Sequence, residues 1–460
     1  MTKNWLSKLK AEFPAKAVRT DEASLQANAG DAWMAEHRPE AVVFPANAKQ
    51  VAQLAAFCHR HEVPLTPRGA GRGYVGGAVP VHGGVVANLA RLNKILEIHA
   101  EDGIAVVQPA VVTGDLQDAV EAKGLFYPPD PASLKECSIG GNVATNAGGP
   151  RCVKYGVTRH YILGLQVALM NGDLVRVGGR THKNKQGFDL VGLFVGSEGM
   201  LGLVTEITVR LLPRPQARAV LRAGFKSMKA CAAAVQGVLQ AGLLPSSLEI
   251  ADRYTLAASR RHLGDNLVPD GEACLLVELD GQKSTVAAEA IHLSKVIRKL
   301  GGLDIRSAVS QRDRDRVWAL RREMSNSLKA GGFTKLNEDI TVPRSRLVDL
   351  IDFSEKLMKK HRLEIASFGH AGDGNIHVNL MIDPTDTTIR QRADRALDEL
   401  FNQVLAWGGV ITGEHGVGLA KKRWWPQATS KELRALHQAV KTTLDPKGML
   451  NPGKFVDVKR

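Results

Sequence analysis

Aromatic residues are scarce in this chain, and cysteine is both scarce and scattered. Phe, Trp and Tyr together make up 5% of the 460 residues, which leaves few stacking platforms for nucleic-acid bases. The five cysteines form no CxxC pair, which excludes an iron–sulfur or zinc-ribbon framework and fits a reducing compartment. They are Cys58, Cys137, Cys152, Cys231 and Cys274. The sequence therefore predicts a cytoplasmic protein that binds no nucleic acid.

The sequence also lacks a long apolar run. No stretch approaches the roughly 20 apolar residues that a membrane-spanning helix needs, and the first 17 residues lack the apolar core of a secretory signal. The net charge of +14 favours anionic substrates and partners. A peripheral contact with the inner membrane stays open on this evidence.

Local patterns indicate two principal domains of the α+β class. Helical and strand patterns alternate up to a proline-containing stretch at residues 213–215, which predicts a domain boundary. Beyond it, strands separated by helices and hairpins favour an antiparallel sheet. Within the first domain, Asn171-Gly172 predicts a tight hairpin. Late in the second, a short strand is expected at residues 409–412.

Three glycine-rich segments lie in the first domain, at residues 67–77, 138–149 and 196–202. Glycine allows backbone amides to approach a ligand closely, and successive amides form an anion-binding nest that suits a pyrophosphate. None of the segments matches the dinucleotide-binding GxGxxG setting or the P-loop. Their combination predicts an anion-binding site of another kind.

These segments resemble those of the FAD-linked oxidases related to vanillyl-alcohol oxidase. The likeness rests on PPDP at 128–131, on IGGN to NAGG at 139–149 and on GSEG at 196–199. Within that family, the chain looks like the branch with D-lactate dehydrogenase, D-2-hydroxyglutarate dehydrogenase and the flavin subunit of glycolate oxidase.

The resemblance implies an α+β architecture in four parts. These are a helical lead-in (1–36), a VAO/PCMH-type FAD-binding domain (37–215), a ferredoxin-like α+β substrate or cap domain (216–425), and a C-terminal segment (426–460) that returns to the FAD domain. Ten residues are then expected to contact FAD: Arg68, Gly69, Gly71, Gly73, Ser138, Gly141, Asn142, Asn146, Glu198 and Asn451. Some family members attach flavin covalently through a histidine at the position of Arg72, so non-covalent FAD is expected here.

Two histidines in the second domain form a candidate metal site. If residues 372–375 make a turn, His370 and His377 lie directly opposite each other on a hairpin, with their side chains on one face. Glu414, which follows the expected short strand, can supply a carboxylate. Two histidines and one carboxylate suit Zn, Mn or Fe(II). In the family, the equivalent residues bind a divalent metal.

The residues around this site predict the chemistry. Hydride can leave the substrate α-carbon for the flavin only as the hydroxyl loses its proton, which a metal promotes. By resemblance, His415, which follows Glu414, is the candidate base, and histidine can accept a proton near neutral pH. The stretch Trp318-Ala-Leu-Arg321 resembles a Trp-x-x-Arg stretch of the family, so Arg321 is expected to bind the substrate carboxylate, with Arg322 as the fallback. By resemblance, Asn379 and Lys335 are further substrate contacts, and Tyr155 is equally compatible with a flavin-facing or a packing role.

The sequence thus predicts oxidation of a D-2-hydroxy acid to the 2-oxo acid. D-lactate, glycolate and D-2-hydroxyglutarate all remain candidate substrates. No haem or Fe–S motif is present, so electrons are expected to reach an external acceptor such as an electron-transfer flavoprotein, a quinone or a cytochrome, and O₂ stays open. The alternative is a non-catalytic or partner-dependent flavoprotein subunit of a glycolate-oxidase-like complex. A homodimer is compatible with either function.

Overall fold

A computed structural model describes residues 4–383 and 385–458. The described residues form two compact units, the first from Met1–Gly148, Val157–Arg214 and Glu414–Arg460, and the second from Gly149–Gly156 and Pro215–Gly413. The main segment of the second unit begins at Pro215. The unit also includes eight residues that the sequence analysis assigns to the FAD-binding domain, and it ends at Gly413 rather than near residue 425.

The helices of the described residues are α1 (Asn4–Glu12), α2 (Glu22–Ala27), α3 (Ala48–His61), α4 (Thr113–Glu121), α5 (Ile139–Thr145), α6 (Cys152–Tyr155), α7 (Leu190–Phe194), α8 (Met228–Gln240), α9 (Arg253–Leu263), α10 (Lys283–Lys299), α11 (Gln311–Lys329), α12 (Leu347–His361), α13 (Thr387–Ala406), α14 (Trp425–Ala428) and α15 (Lys431–Leu444). None of them is long and apolar enough to cross a bilayer.

The strands are β1 (Val18–Arg19), β2 (Ala41–Val43), β3 (Leu65–Arg68), β4 (Val85–Asn88), β5 (Ile95–His99), β6 (Ile104–Val107), β7 (Leu125–Phe126), β8 (Ile162–Ala168), β9 (Leu174–Gly178), β10 (Leu203–Arg210), β11 (Leu212–Pro213), β12 (Ala217–Phe225), β13 (Ser247–Ala251), β14 (Ala273–Gly281), β15 (Leu303–Ala308), β16 (Thr334–Thr341), β17 (Glu364–His370) and β18 (Asn375–Ile382).

The first unit contains two main sheets. One has the order β1-β2-β4-β3, with β2, β4 and β3 parallel, and the other is antiparallel with the order β5-β6-β10-β8-β9. Helix α3 packs its apolar face, including Val51, Leu54 and Cys58, into a core shared with strands β2, β3 and β4. Asn47 caps this helix by accepting from the amide of Gln50, as the local sequence predicts.

The second unit is built on one seven-stranded antiparallel sheet with the order β15-β12-β14-β13-β17-β18-β16. Its first four strands occur along the chain as β12, β13, β14 and β15, with α8 between the first two, α10 between the last two, and α9 inserted between β13 and β14. This is the ferredoxin-like pattern, which confirms the expected α+β class. The hairpin β17–β18 and the edge strand β16 extend the sheet.

Helices α9 and α11 cover the part of this sheet that carries the candidate site. Leu256 of α9 and Leu320, Met324 and Leu328 of α11 share a core with Phe368 of β17. Helix α11 begins at the capping residue Ser310, whose hydroxyl accepts from the amide of Asp313. One face of α11 is therefore fixed against the sheet.

Two local predictions differ from the structure in detail. The expected hairpin at Asn171-Gly172 joins β8 to β9, and the backbone amide of Leu169 donates to the carbonyl of Asp173 at 2.9 Å, so its loop is residues 170–172. Only Gly172 of that dipeptide has a positive φ, so the mirror-image turn that needs two such residues does not form. Residues 409–412 form no strand, and Val410 makes only an isolated bridge to Thr341.

Candidate active site

The two candidate metal-binding histidines share one face of the β17–β18 hairpin. His370 pairs with Asn375, and His377 pairs with Phe368. The prediction that the two histidines lie directly opposite each other is therefore wrong. The loop is residues 371–374, which places His370 and His377 as diagonal neighbours. Diagonal neighbours on one face still reach each other. Their ring centroids lie 5.4 Å apart, nearly perpendicular, and both residues are buried.

A buried carboxylate supports the first of these histidines. Glu249 lies on β13 directly opposite His370, and its Oε1 is 2.8 Å from His370 Nδ1. Its Oε2 accepts from Arg321 Nε at 2.5 Å. Burial alone would raise the pKa of Glu249, but His370 and Arg321 more than offset it, and the pKa lies below its ordinary value. Glu249 is therefore a carboxylate that His370 and Arg321 hold in place.

Arg321 reaches this site from helix α11. Its guanidinium lies 5.0 Å from the ring centroid of Phe368, so it is held by a cation–π contact as well as by Glu249. The ion pair engages Nε, which leaves the edge formed by the two terminal nitrogens as the part of the fork that suits a carboxylate. Arg321 is buried and is not a solvated surface residue.

Lys335 and Asn379 lie on the neighbouring strands β16 and β18. Lys335 donates to Ser325 Oγ of α11 at 2.5 Å. Burial, together with the positive charges of Lys329 and Arg321, lowers the pKa of Lys335 to about 7. The amide nitrogen of Asn379 donates to the backbone carbonyls of Ala366 and His377, while its buried Oδ1 has no hydrogen-bond partner among the described residues. That oxygen can accept a donor from a bound molecule.

The segment before Glu414 is anchored to strand β16. Asp339, directly opposite His377 in the ladder, accepts from the backbone amide of Gly413 at 2.8 Å and from the hydroxyl of Thr412. Glu414 is bonded directly to Gly413. One ligand atom from each of His370, His377 and Glu414 lies within 4.8 Å of the other two. Two imidazoles and a carboxylate at this spacing fit a divalent cation.

The segment after His415 is anchored in the first unit by Glu198. The carboxylate of this buried residue accepts from the backbone amides of Val417 and Gly418, both at 2.8 Å. Gly416 has a φ of 89°, and a Cβ there would lie 2.7 Å from Glu198 Oε1. Burial raises the pKa of Glu198 to about 7, although the two amides lower it. His415 itself lies 5.2 Å from Tyr74, ring centroid to ring centroid.

The residues expected to contact FAD gather around two of the glycine-rich segments. Ser138 caps helix α5 by accepting from the amide of Gly141 at 3.3 Å. A Cβ at Gly69 would lie 2.7 Å from Ser138 Oγ, so only glycine lets the first segment approach the second this closely. Asn146 ends α5 with a left-handed φ of 52°. Adjacent backbone amides brought together in this way fit a pyrophosphate.

Several other residues that are expected to contact the flavin form side-chain hydrogen bonds within the protein. Arg68 donates to the backbone carbonyls of Gly30 and Ala27 and lies against Gly71, and Asn142 donates to Thr113. Asn451 donates to the backbone carbonyls of Gly77 and Glu198. Gly73 lies near Asp31. A flavin contact from these residues therefore involves atoms other than the ones already bonded.

Tyr155 is held within the second unit. Its hydroxyl donates to Asp280 Oδ2 of β14 at 2.7 Å, and Lys154 forms an ion pair with the same carboxylate. This contact favours the packing role over a flavin-facing one. Three supporting acids, Asp280, Glu249 and Asp339, were not predicted from the sequence. They lie on three different strands and bond to Tyr155, His370 and the backbone of Gly413, respectively. The signal that could have found Glu249 is an acid inside an otherwise apolar strand.

The chain matches two protein families in sequence. Residues 39–178 match the FAD binding domain, and residues 214–455 match the FAD linked oxidases, C-terminal domain. The chain therefore belongs to the FAD-linked oxidases, and FAD is the cofactor that its N-terminal domain binds.

Curated relatives cover nearly the whole chain. It is 39% identical over 417 residues to the glycolate oxidase subunit GlcD of Bacillus subtilis (strain 168), covering 91% of this chain and 89% of the relative. It is 32% identical over 464 residues to the D-lactate dehydrogenase of Anaerostipes hadrus, covering 99% and 98%. Both values confirm the family that the sequence motifs indicate.

Solved structures share the fold at low sequence identity. p-Cresol methylhydroxylase with substrate bound superposes with a TM-score of 0.81 at 20% identity, covering 99% of this chain and 98% of that one. Alkyldihydroxyacetonephosphate synthase gives a TM-score of 0.77 at 17% identity, covering 99% and 86%. The VAO/PCMH-type architecture expected from the sequence is thereby confirmed.

Proposed function

We propose that this chain oxidises a D-2-hydroxy acid to the 2-oxo acid, with His370, His377 and Glu414 holding a divalent metal and His415 accepting the hydroxyl proton. The observation that carries the proposal is the pair of buried imidazoles 5.4 Å apart, one of which shares a carboxylate with the buried cation Arg321. The names of two relatives, glycolate oxidase subunit and D-lactate dehydrogenase, support a small 2-hydroxy acid as substrate.

The residues present suit each cofactor. Zn, Mn or Fe(II) bound by two histidines and a carboxylate would lower the pKa of the substrate hydroxyl, and FAD would accept the hydride. Bonding between His370 Nδ1 and Glu249 favours Nε2 as the ligand atom. Position 72, where some family members carry the histidine that attaches flavin, is an arginine that pairs with Glu136. An arginine at this position supports non-covalent FAD.

The protein's own residues would bind and orient the substrate. Arg321 of helix α11 presents a planar fork to the substrate carboxylate, and Lys335 of strand β16 adds a second cation. The partnerless Oδ1 of Asn379 would accept a hydrogen bond from the substrate. His415, held in its loop by the bonds that Glu198 makes to Val417 and Gly418, would then remove the hydroxyl proton.

Anaerobic reduction of the flavin tests the proposal most directly. The purified chain, loaded with FAD, is mixed with D-lactate, glycolate, D-2-hydroxyglutarate and the L enantiomers, and the flavin absorbance is followed. Bleaching by D-lactate, glycolate or D-2-hydroxyglutarate, with D preferred over L wherever both enantiomers exist, is the expected result. Preference for L substrates would overturn the stereochemical assignment.

A second function is favoured by one comparison. The relative from Bacillus subtilis is named as a subunit of glycolate oxidase, which supports a chain that works only with partner chains. In that case the isolated flavin stays oxidised with all substrates, and is bleached only when partner chains are added. The external electron acceptor, a homodimer and a peripheral contact with the inner membrane remain predictions.

A further inference from the structure

Glu249 joins two residues to which the proposed function gives different tasks. Its side chain is 1% exposed, and its two oxygens bond to His370 Nδ1 and to Arg321 Nε at 2.8 and 2.5 Å. His370 is a candidate metal ligand, and Arg321 is the candidate partner of the substrate carboxylate. A single carboxylate therefore contacts both.

The chemistry of each contact fixes an orientation. A histidine that gives one ring nitrogen to a carboxylate holds its other nitrogen, with its lone pair, in a set direction, which is how supporting carboxylates orient metal-binding histidines. An arginine bound through Nε keeps its terminal nitrogens as a fixed fork. Glu249 sets both directions at once, because one of its oxygens bonds to each residue. Its own position is fixed on β13, opposite His370 in the ladder.

The burial of this group argues against an incidental ion pair. An isolated buried carboxylate is strongly unfavourable, and only paired and hydrogen-bonded charges are tolerated in a protein interior. Glu249 meets that condition with one partner from the β17–β18 hairpin and one from helix α11. Its removal would leave Arg321 as a buried cation without the only ion-pair partner found for it among the described residues.

We propose that Glu249 is a positioning residue that couples metal binding by His370 to carboxylate binding by Arg321. This inference rests on the proposed function, since it assigns a role at the same site. It predicts that a change at Glu249 weakens two measurable properties together: the affinity for the metal and the affinity for the substrate.

The sheet provides a matched control in Glu278. This buried carboxylate lies on the adjacent strand β14 and accepts from Trp318 Nε1 at 2.6 Å. Trp318 lies three residues before Arg321 on the same helix α11. Glu278 thus has the same side chain, a similar burial and a bond to the same helix. Among the described residues its polar partners are Ser246, Arg151 and Trp318, and neither histidine is one of them.

The test compares Glu249→Gln with Glu278→Gln in the FAD-loaded protein. Glutamine keeps the shape but places an amide donor against either His370 or Arg321, where a donor already points. The measurements are the Zn²⁺ dissociation constant from chelator competition, the flavin content from absorbance, and KM and kcat for the acid that best reduces the wild-type flavin. Melting temperature reports stability for each variant.

We expect Glu249→Gln to weaken Zn²⁺ binding by about 10- to 100-fold, the usual effect of losing a supporting carboxylate, and to raise KM while flavin content stays normal. Glu278→Gln should lower stability without a selective change in Zn²⁺ affinity. If Glu249→Gln does not fold, Glu249→Asp replaces it. The shorter side chain cannot keep both contacts at their present distances, so Zn²⁺ affinity should fall and KM should rise together.

Three outcomes separate this inference from the proposed function. A wild-type protein that binds Zn²⁺ tightly, together with a Glu249 variant of equal affinity and KM, overturns the coupling role and leaves the proposed function intact. Equal losses of Zn²⁺ affinity in the Glu249 and Glu278 variants show a structural role only and also overturn it. A wild-type protein that binds none of Zn²⁺, Mn²⁺ or Fe²⁺ removes the metal from the proposed function itself.

Discussion

Glu198 accepts a hydrogen bond of 2.8 Å from the backbone amide of Val417, two residues after His415. Its second oxygen accepts from Gly418 at the same distance. The residue belongs to a glycine-rich segment that resembles a flavin-binding motif, but its carboxylate is used to hold the loop that carries the candidate base. The loop can pass this close only because Gly416 has no Cβ.

Replacing Glu198 should therefore slow the proton-transfer step without emptying the flavin site. In Glu198→Gln the amide group can accept from only one of the two backbone donors, and an unsatisfied buried donor costs about 1–3 kcal/mol. We expect the loop to loosen and the rate of anaerobic flavin reduction to fall about tenfold or more. Stopped-flow absorbance measures this rate, and the flavin spectrum reports occupancy.

Glu206→Gln is the control for this variant, since that carboxylate lies on the same unit and pairs with Arg176 near the surface. It should reduce its flavin at the wild-type rate. A Glu198→Gln protein with full flavin content and an unchanged reduction rate would show that the loop does not need this carboxylate.

The candidate base gives a second prediction. His415→Ala removes the proton acceptor, and general-base catalysis typically contributes about 10²- to 10⁴-fold to a rate. Flavin reduction by the best substrate should slow by that range, whereas metal content should stay close to that of the wild type because the three candidate ligands remain. Metal analysis and stopped-flow absorbance on the same preparation measure both. An unchanged reduction rate would remove the base role from His415.

The features that could be predicted from the sequence are mostly local ones. The cap at Asn47 and the glycine-rich segment around Ser138 depend on residues within a few positions of one another, so both could be inferred without the fold. The pairing of His370 and His377 was also inferred from their spacing. Its register was wrong, because the loop of residues 371–374 makes His370 pair with Asn375 and leaves the histidines diagonal.

The residues that support the site could not be predicted because they come from distant parts of the chain. Glu249 meets His370 only through the pairing of β13 with β17, across 121 positions. Strands β15 and β16 could not be predicted from their own sequences either. They are the two edges of the seven-stranded sheet, and edge strands are less apolar than central ones, so their sequences lack a clear strand pattern.

Removal of a metal ligand gives a third prediction. His377→Ala should lose the bound metal and most of the turnover, while FAD remains, because the glycine-rich segments that fit the cofactor lie in the first unit. Elemental analysis and the flavin spectrum of the purified variant measure the two effects separately. His361→Ala is the control, since this histidine is also mostly buried but pairs with Glu399 on α13. Retained turnover in His377→Ala would contradict the metal role.

The last prediction concerns pH. Burial, together with the positive charges of Lys329 and Arg321, lowers the pKa of Lys335 to about 7. Since the pKa is depressed, the ammonium form is present below about pH 7 and is lost as the pH rises through that value. If Lys335 binds the substrate carboxylate, kcat/KM should therefore fall on the alkaline side of about pH 7, because this ratio reports the free enzyme.

Two substitutions separate Lys335 from other groups that titrate in this range. Lys335→Arg keeps a positive charge at every accessible pH, so the alkaline fall should move to a much higher pH. Lys335→Met should raise KM about 10- to 100-fold, as expected for the loss of a charge-assisted hydrogen bond, and should abolish the fall. A pH profile of kcat/KM for each variant measures both effects.

Lys329→Met tests the source of the pKa shift, because Lys329 is exposed and its positive charge lowers the pKa of Lys335 by repulsion. Its loss should raise the pKa of Lys335 and shift the alkaline fall slightly upward while KM at low pH stays unchanged. An alkaline fall that remains at the same pH in Lys335→Arg would mean that another group titrates there. The carboxylate would then be bound by Arg321 without help from Lys335.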